Sequence, residues 1–69
     1  MQFSDLSSER VVNALSKAGF KIIRQSKHIG MSDGTHHLTI PRHKRINPYT
    51  LKGIIKDACL TDEQFRELI

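Results

Sequence analysis

The stretch HIGMSDGTHHLTI, residues 28–40, decides the fold. A two-residue hairpin turn needs positive φ at both central positions, and the dipeptide Asp33-Gly34 tolerates this conformation. We therefore predict an antiparallel hairpin in which one strand begins at His28 and the next strand is THHLTI, residues 35–40. The residues of THHLTI alternate, with Leu38 and Ile40 facing one way and His37 and Thr39 the other.

Upstream of the hairpin, the pattern indicates a helix followed by a strand. Ser7 is a predicted N-cap, and apolar residues then recur at helical spacing as far as Ala18. Gly19 can adopt the left-handed conformation that ends a helix. Residues 21–25, KIIRQ, change to a period of two and predict a short strand with β-branched residues on both faces.

Downstream of the hairpin, two helix starts are visible. Asn47-Pro48 predicts the first, with Asn as the cap and Pro at the first helical position. Thr61 and Gln64 match a capping box for a short last helix, whose apolar residues can fold back on the core: Phe65, Leu68 and Ile69. The order helix, three strands, helix, helix predicts an α+β fold, α-β-β-β-α-α, with a three-stranded antiparallel sheet packed on helices on one face.

The length of 69 residues predicts a single domain, residues 1–69, with one small core. The sequence has no run of about 18 apolar residues and no signal-peptide pattern at its start, so we expect a cytoplasmic protein without a membrane segment. Cys59 is the single cysteine. It excludes an intramolecular disulfide and a cysteine-based zinc site.

The positive charge is concentrated in the middle of the chain. Residues 21–52 carry seven basic side chains against one acidic side chain, Asp33. Such a block predicts an anionic partner, and the phosphate backbone of a nucleic acid is the commonest partner of this kind. The alternative is a basic surface that only keeps the protein soluble. In the loop bracketed by Pro41 and Pro48, three residues are predicted phosphate contacts or else ordinary solvated charges: Arg42, Lys44 and Arg45.

Histidine among cations suits one reaction in particular, the cleavage of RNA. RNA carries its own nucleophile, the 2′-hydroxyl, so cleavage needs a proton acceptor, cations and alignment, but no metal. The sequence has no phosphate-cradling glycine loop and no pair of acidic residues within the basic block. His28 is the candidate catalyst, or else an exposed strand residue, and Arg24 and Lys27 flank it where they can stabilise the reacting phosphate.

The other candidates for chemistry have plainer interpretations. His36 and His37 are adjacent on the predicted strand and point to opposite faces, so a zinc site that uses one of them with His43 is only a minor alternative. Cys59 lies at the end of an apolar stripe, where a lone cysteine is more often a small hydrophobe than a nucleophile. Tyr49 is predicted to pack at the helix start rather than to stack on bases. No metal and no cofactor are expected.

Three segments together resemble the HicA family of messenger-RNA-cleaving toxins: AGFKIIRQSKH, DGTHHLTIPRH and INPYTLKGIIKDACLTDEQFREL. The resemblance implies a fold like the double-stranded RNA-binding domain and a metal-independent endoribonuclease, inhibited by a HicB-like antitoxin. It places the essential histidine at the start of the second strand, which is His28. We predict that messenger RNA is contacted by Arg24, Lys27, Arg42, His43, Lys44 and Arg45.

Two departures from the family pattern are visible. Members usually read RQ-x-Gly-Ser-His, whereas Arg24-Gln25 is followed here by Ser26-Lys27-His28, so the connection is one residue shorter and lacks glycine. This change can displace His28, and it keeps open a non-catalytic RNA-binding module of the same fold. A domain whose basic face binds only protein is a more distant alternative. Cys59 stands where glycine is common, at a cost of about 1 kcal/mol if the position needs positive φ.

Overall fold

The computed structural model describes residues 6–69. Within them the element order is the predicted one, with the bounds α1 Ser8–Lys17, β1 Lys21–Gln25, β2 His28–Ser32, β3 His37–Pro41, α2 Pro48–Asp57 and α3 Asp62–Leu68. The sheet is antiparallel with the order β1-β2-β3. The α+β prediction, α-β-β-β-α-α with an open three-stranded sheet, is therefore confirmed.

The three helices begin at the predicted caps. The Ser7 side chain accepts a hydrogen bond from the Arg10 amide, and the Asn47 side chain accepts one from the Tyr49 amide, with Pro48 at the first helical position. Thr61 and Gln64 form the reciprocal capping box. Gly19 has a φ of +102° and ends α1 as expected.

The connection between β2 and β3 differs from the predicted two-residue turn. β3 begins at His37 rather than Thr35, so four residues, 33–36, join the strands. Gly34 has positive φ, but Asp33 does not. The Asp33 carboxylate instead accepts hydrogen bonds from the amides of Thr35 and His36, at 2.9 Å and 2.6 Å. Because this side chain satisfies two loop amides, the wider loop is stable without a second left-handed residue.

The core lies between one face of the sheet and the helices. Leu38 and Ile40 of β3 are buried with Met31 of β2, whereas His37 and Thr39 on the other face are exposed, as the alternation predicted. From α3, Phe65 is fully buried and Leu68 is half-buried. Ile69 was predicted to fold back on the core, but it is 40% exposed. Ile22 and Ile23 of the edge strand β1 are also exposed.

Cys59 follows α2 in the left-handed conformation, with a φ of 59°. A side chain with a Cβ pays about 1–2 kcal/mol for this conformation, whereas glycine does not. The position is therefore one that favours glycine, as the family pattern indicates. Within residues 6–69, none of the helices combines the length and the apolar character that crossing a membrane requires.

Candidate active site

An open depression of about 490 Å³ lies where β2 begins, β3 ends and α2 starts. Its lining combines two imidazoles, one guanidinium and several hydrogen-bonding side chains: His28, Thr39, Pro41, His43, Arg45, Asn47 and Thr50. Two imidazoles can transfer protons, and a guanidinium can hold an oxyanion. The depression is shallow and open, so it can admit a segment of a large substrate.

His28 is the first residue of β2 and pairs with Pro41 of β3. Its position on the open face of the sheet follows from the alternation of β2, because Ile29 and Met31 turn towards the core. The side chain of His28 is exposed. The predicted catalyst is thus presented to solvent at the edge of the depression.

The connection before His28 is closed without a glycine. Ser26 donates its amide to the carbonyl of His28 at 3.2 Å. Among residues 6–69, Cys59 is the one non-glycine residue with positive φ, so neither Ser26 nor Lys27 adopts a left-handed conformation. The shorter connection therefore carries no backbone strain of the kind that glycine would relieve.

Arg42 ties this connection to the loop that follows β3. Its Nε donates to the carbonyl oxygen of Ser26 at 2.8 Å. One N–H of the guanidinium is thus used inside the protein, and this part of Arg42 positions the residues that precede His28. An RNA contact through the other N–H groups of the Arg42 guanidinium remains a prediction.

The loop after β3 is held by backbone hydrogen bonds. The His43 amide donates a hydrogen bond to the carbonyl oxygen of Pro41 at 3.1 Å. The carbonyl oxygen of His43 accepts a hydrogen bond from the amide of Ser8 at 3.0 Å. Ile46 donates its amide to the carbonyl of Leu6 at 2.8 Å, and its side chain is buried. These bonds fix the backbone that carries His43 into the depression.

The structure brings some of the predicted residues together and leaves others apart. His28, His43 and Arg45 line the depression, whereas Lys27 and Lys44 are exposed beside it without lining it. Arg24 pairs with Gly30, and a Cβ at Gly30 would lie 3.3 Å from the Cβ of Arg24. Arg24 therefore shares the open face of the sheet with His28 but is not part of the depression.

Four residues that line the depression were not predicted to belong to it: Thr39, Pro41, Asn47 and Thr50. Thr39 could have been found from the alternation of β3, and Asn47 and Thr50 from their place at the start of α2. Tyr49 was predicted to pack, but it is 86% exposed, so that prediction is wrong. The first turn of α2 has its apolar contacts through Leu51, which leaves the Tyr49 ring in solvent.

A comparison with protein families identifies the chain. A family model described as the HicA toxin of bacterial toxin-antitoxin pairs matches residues 8–60 of the 69. The chain belongs to the HicA family. No curated protein and no solved structure matches it. The matched region runs from α1 to just past α2, so the depression lies wholly within it.

Membership in the HicA family makes the chain a toxin of a toxin-antitoxin pair, with a cognate antitoxin as its partner. The match confirms the family that the sequence segments indicated. It does not assign a role to any single residue, so the roles of His28 and the basic residues rest on the geometry described above.

A second cluster of titratable side chains joins the loop between β2 and β3 to Cys59, which follows α2. His36 Nδ1 is 3.1 Å from Asp33 Oδ2, and His36 Nε2 is 3.1 Å from the Sγ of Cys59. The prediction that His36 lies on a strand beside His37 is therefore wrong, because β3 begins at His37 and His36 lies in the loop. Cys59 is exposed and in contact with an imidazole, so its interpretation as a packed small hydrophobe is wrong.

The side chains of this cluster do not form a metal site. Among the described residues, no group of three or more His, Cys, Asp or Glu side chains could hold a metal ion. The alternative zinc site would have paired His43 with His36 or His37. His43 lies in the depression with His28, His37 does not line the depression, and His36 contacts Asp33 and Cys59 elsewhere on the surface.

Asp33→Asn is expected to remove a pH-dependent part of the stability. The backbone amides of His36 and Thr35, followed by the His36 ring, lower the pKa of Asp33 from 3.8 to about 2. A carboxylate whose pKa is lowered in the folded state stabilises the protein at every pH above its ordinary pKa. This contribution is lost as the pH falls from 3.8 towards 2. The melting temperatures of the two proteins should therefore converge over this range. A constant difference from pH 6 to pH 2 would contradict the assignment.

Proposed function

We propose that this HicA chain is a metal-independent endoribonuclease that cleaves messenger RNA, with His28 as a general acid/base. The observation that carries the proposal is the position of His28, exposed at the start of β2 in an open depression that also contains His43 and Arg45. An imidazole that titrates near neutral pH suits proton transfer without a metal. The open shape suits a polymer rather than a small metabolite.

The reaction follows from the chemistry of RNA. Removal of the proton from a 2′-hydroxyl allows its oxygen to attack the adjacent phosphorus, which forms a 2′,3′-cyclic phosphate and releases the 5′ oxygen of the next nucleotide. Negative charge builds on the non-bridging oxygens during this step. The guanidinium of Arg45 lines the same depression as His28, which supports a role for Arg45 in stabilising that charge.

The basic residues around the depression extend the proposed RNA interface. Arg24 lies on the open face of the sheet, and Lys27 and Lys44 are exposed on the two loops beside the depression. Charges of this kind contact phosphates without reading the base sequence, so they position the RNA backbone. Arg42, His43 and Arg45 complete the set of proposed RNA contacts.

The proposed partner is a HicB-like antitoxin with an acidic surface that covers this face. Residues 21–52 carry seven basic residues against one acidic residue, so an acidic inhibitor would be complementary to the face and would exclude RNA from it. Because messenger RNA is the proposed substrate, we place the activity in the cytoplasm.

The proposed reaction is tested with purified protein, RNA and a metal chelator. We expect cleavage to survive the chelator, to yield 2′,3′-cyclic phosphate ends, and to fail at a position where the RNA carries a 2′-deoxy nucleotide. The deoxy substrate is a matched control because it retains the phosphates and bases. Cleavage of the deoxy position, or loss of activity that added metal restores, would contradict the mechanism.

The second candidate is an RNA-binding module of the same fold that does not cleave. The shorter connection before His28, Ser26-Lys27, favours it, because a displaced imidazole would still lie in a basic face. Binding of RNA without cleavage under every condition of the test above would support this alternative and overturn the first.

A further inference from the structure

Cleavage of RNA through the 2′-hydroxyl involves two proton transfers. One proton leaves the 2′-hydroxyl, and another must reach the 5′ oxygen, because an alkoxide is a poor leaving group. A single imidazole would have to perform both transfers in turn. Two imidazoles that face one phosphate can divide them between one acceptor and one donor.

His43 is the second imidazole of the depression that contains His28. Pro41 connects their backbones, because it pairs with His28 across the sheet and accepts the amide hydrogen bond of His43. The carbonyl of His43 is in turn held by the amide of Ser8 at 3.0 Å. The position of His43 relative to His28 is thus set by backbone contacts rather than by a free loop.

Both imidazoles are available to a substrate. No described residue forms a hydrogen bond with the ring of His28 or His43, whereas the ring of His36 is engaged by Asp33 and Cys59. The ring nitrogens of His28 and His43 can therefore meet the oxygens of a bound phosphodiester. Thr39 and Thr50 add hydroxyl groups to the same lining.

We propose that His43 is the second proton-transfer residue of the cleavage reaction. This inference rests on the proposed function and extends it by one catalytic residue. As the bond from the 2′ oxygen to phosphorus forms, one histidine takes the 2′-hydroxyl proton. As the bond from phosphorus to the 5′ oxygen breaks, the other histidine supplies the proton that this oxygen needs. Exchange with water restores both rings, so no other reactant is required.

The test compares two substrates that differ in the leaving group. The first is a diribonucleotide, whose 5′ oxygen needs a proton to leave. The second is a ribonucleoside 3′-(4-nitrophenyl phosphate), whose phenolate leaves without one. His28→Ala and His43→Ala are compared with His37→Ala, which removes an exposed histidine that does not line the depression.

On the diribonucleotide, each of the two site variants should lose about 10²–10⁴-fold in kcat, which is the usual contribution of general acid or base catalysis. On the nitrophenyl ester, the variant that lacks the proton donor should recover to within about tenfold of the unmodified protein, while the other stays impaired. The pH profile of kcat should be bell-shaped in the unmodified protein and lose one limb in each variant. His37→Ala should match the unmodified protein throughout.

A role of His43 in phosphate binding alone would give another pattern. His43→Ala would then raise KM on both substrates with kcat unchanged, as expected for Lys44→Ala, and this result would overturn the proposal. Equal losses on both substrates for both site variants would also overturn it. If His28→Ala is inactive and His43→Ala is fully active, the inference fails while the proposed function stands. If the unmodified protein cleaves neither substrate, the proposed function fails as well.

Discussion

His28→Ala is expected to lower the rate of RNA cleavage by about 10²–10⁴-fold, the usual contribution of general acid or base catalysis. The loss follows because the exposed ring at the start of β2 is the proposed proton-transfer group, and methyl cannot accept or donate a proton. The folded structure should persist, because the side chain contributes nothing to the core. Single-turnover cleavage of a labelled RNA measures the effect.

His37→Ala is the matched control for this experiment. It removes an exposed imidazole from the neighbouring strand, on the same face of the sheet, but outside the depression. Its cleavage rate should stay within about twofold of the unmodified protein, as expected for a surface substitution away from the reacting groups. RNA affinity in His28→Ala should change little, because Arg24, Lys27 and Lys44 remain. Equal rates for the two variants would remove His28 from the mechanism.

Phe65→Ala is expected to destabilise the protein by about 3–5 kcal/mol, the usual loss for a phenylalanine deleted from a core. Phe65 is fully buried and is the buried residue of α3. A domain of this length has about 3–10 kcal/mol of total stability. The variant should therefore be largely unfolded at 25 °C, or unfold at far lower urea concentration, as followed by far-ultraviolet circular dichroism.

Two variants on the same helix calibrate this expectation. Glu67→Ala removes an exposed side chain and should change the free energy of unfolding by less than about 0.5 kcal/mol. Phe65→Leu keeps most of the buried volume and should cost clearly less than Phe65→Ala. A loss below about 1 kcal/mol in Phe65→Ala would show that α3 contributes little to the core.

The element order was predictable because its signals are local. Asn47-Pro48 and the pair Thr61 and Gln64 act within one helical turn, so short sequence windows contain all the atoms involved. The loop after β2 was not predictable in the same way, since Asp-Gly is compatible with two loop lengths. The choice between them follows from the Asp33 carboxylate, which bonds two amides of the longer loop.

The candidate site was predictable in part. The strand-start position of His28 followed from the sequence, whereas the bond between Arg42 and Ser26 joins residues 16 apart. The contact between Cys59 and His36 joins residues 23 apart. Nothing in a local pattern indicates such contacts, because they depend on how β3 and α2 pack. The exposure of Tyr49 likewise depends on which side of α2 meets the sheet.

The hydrogen bonds from Ser8 and Ile46 make the start of the described chain part of the site. Leu6 and Ser8 hold the loop that carries His43 and Arg45, although they lie far from both in sequence. A fusion or a proteolytic cut next to Leu6 would therefore loosen the depression while leaving every lining residue in place. Immobilisation and labelling should use the Ile69 side of the domain, where that residue is exposed. A loss of activity that a tag causes is then not mistaken for an inherently inactive toxin.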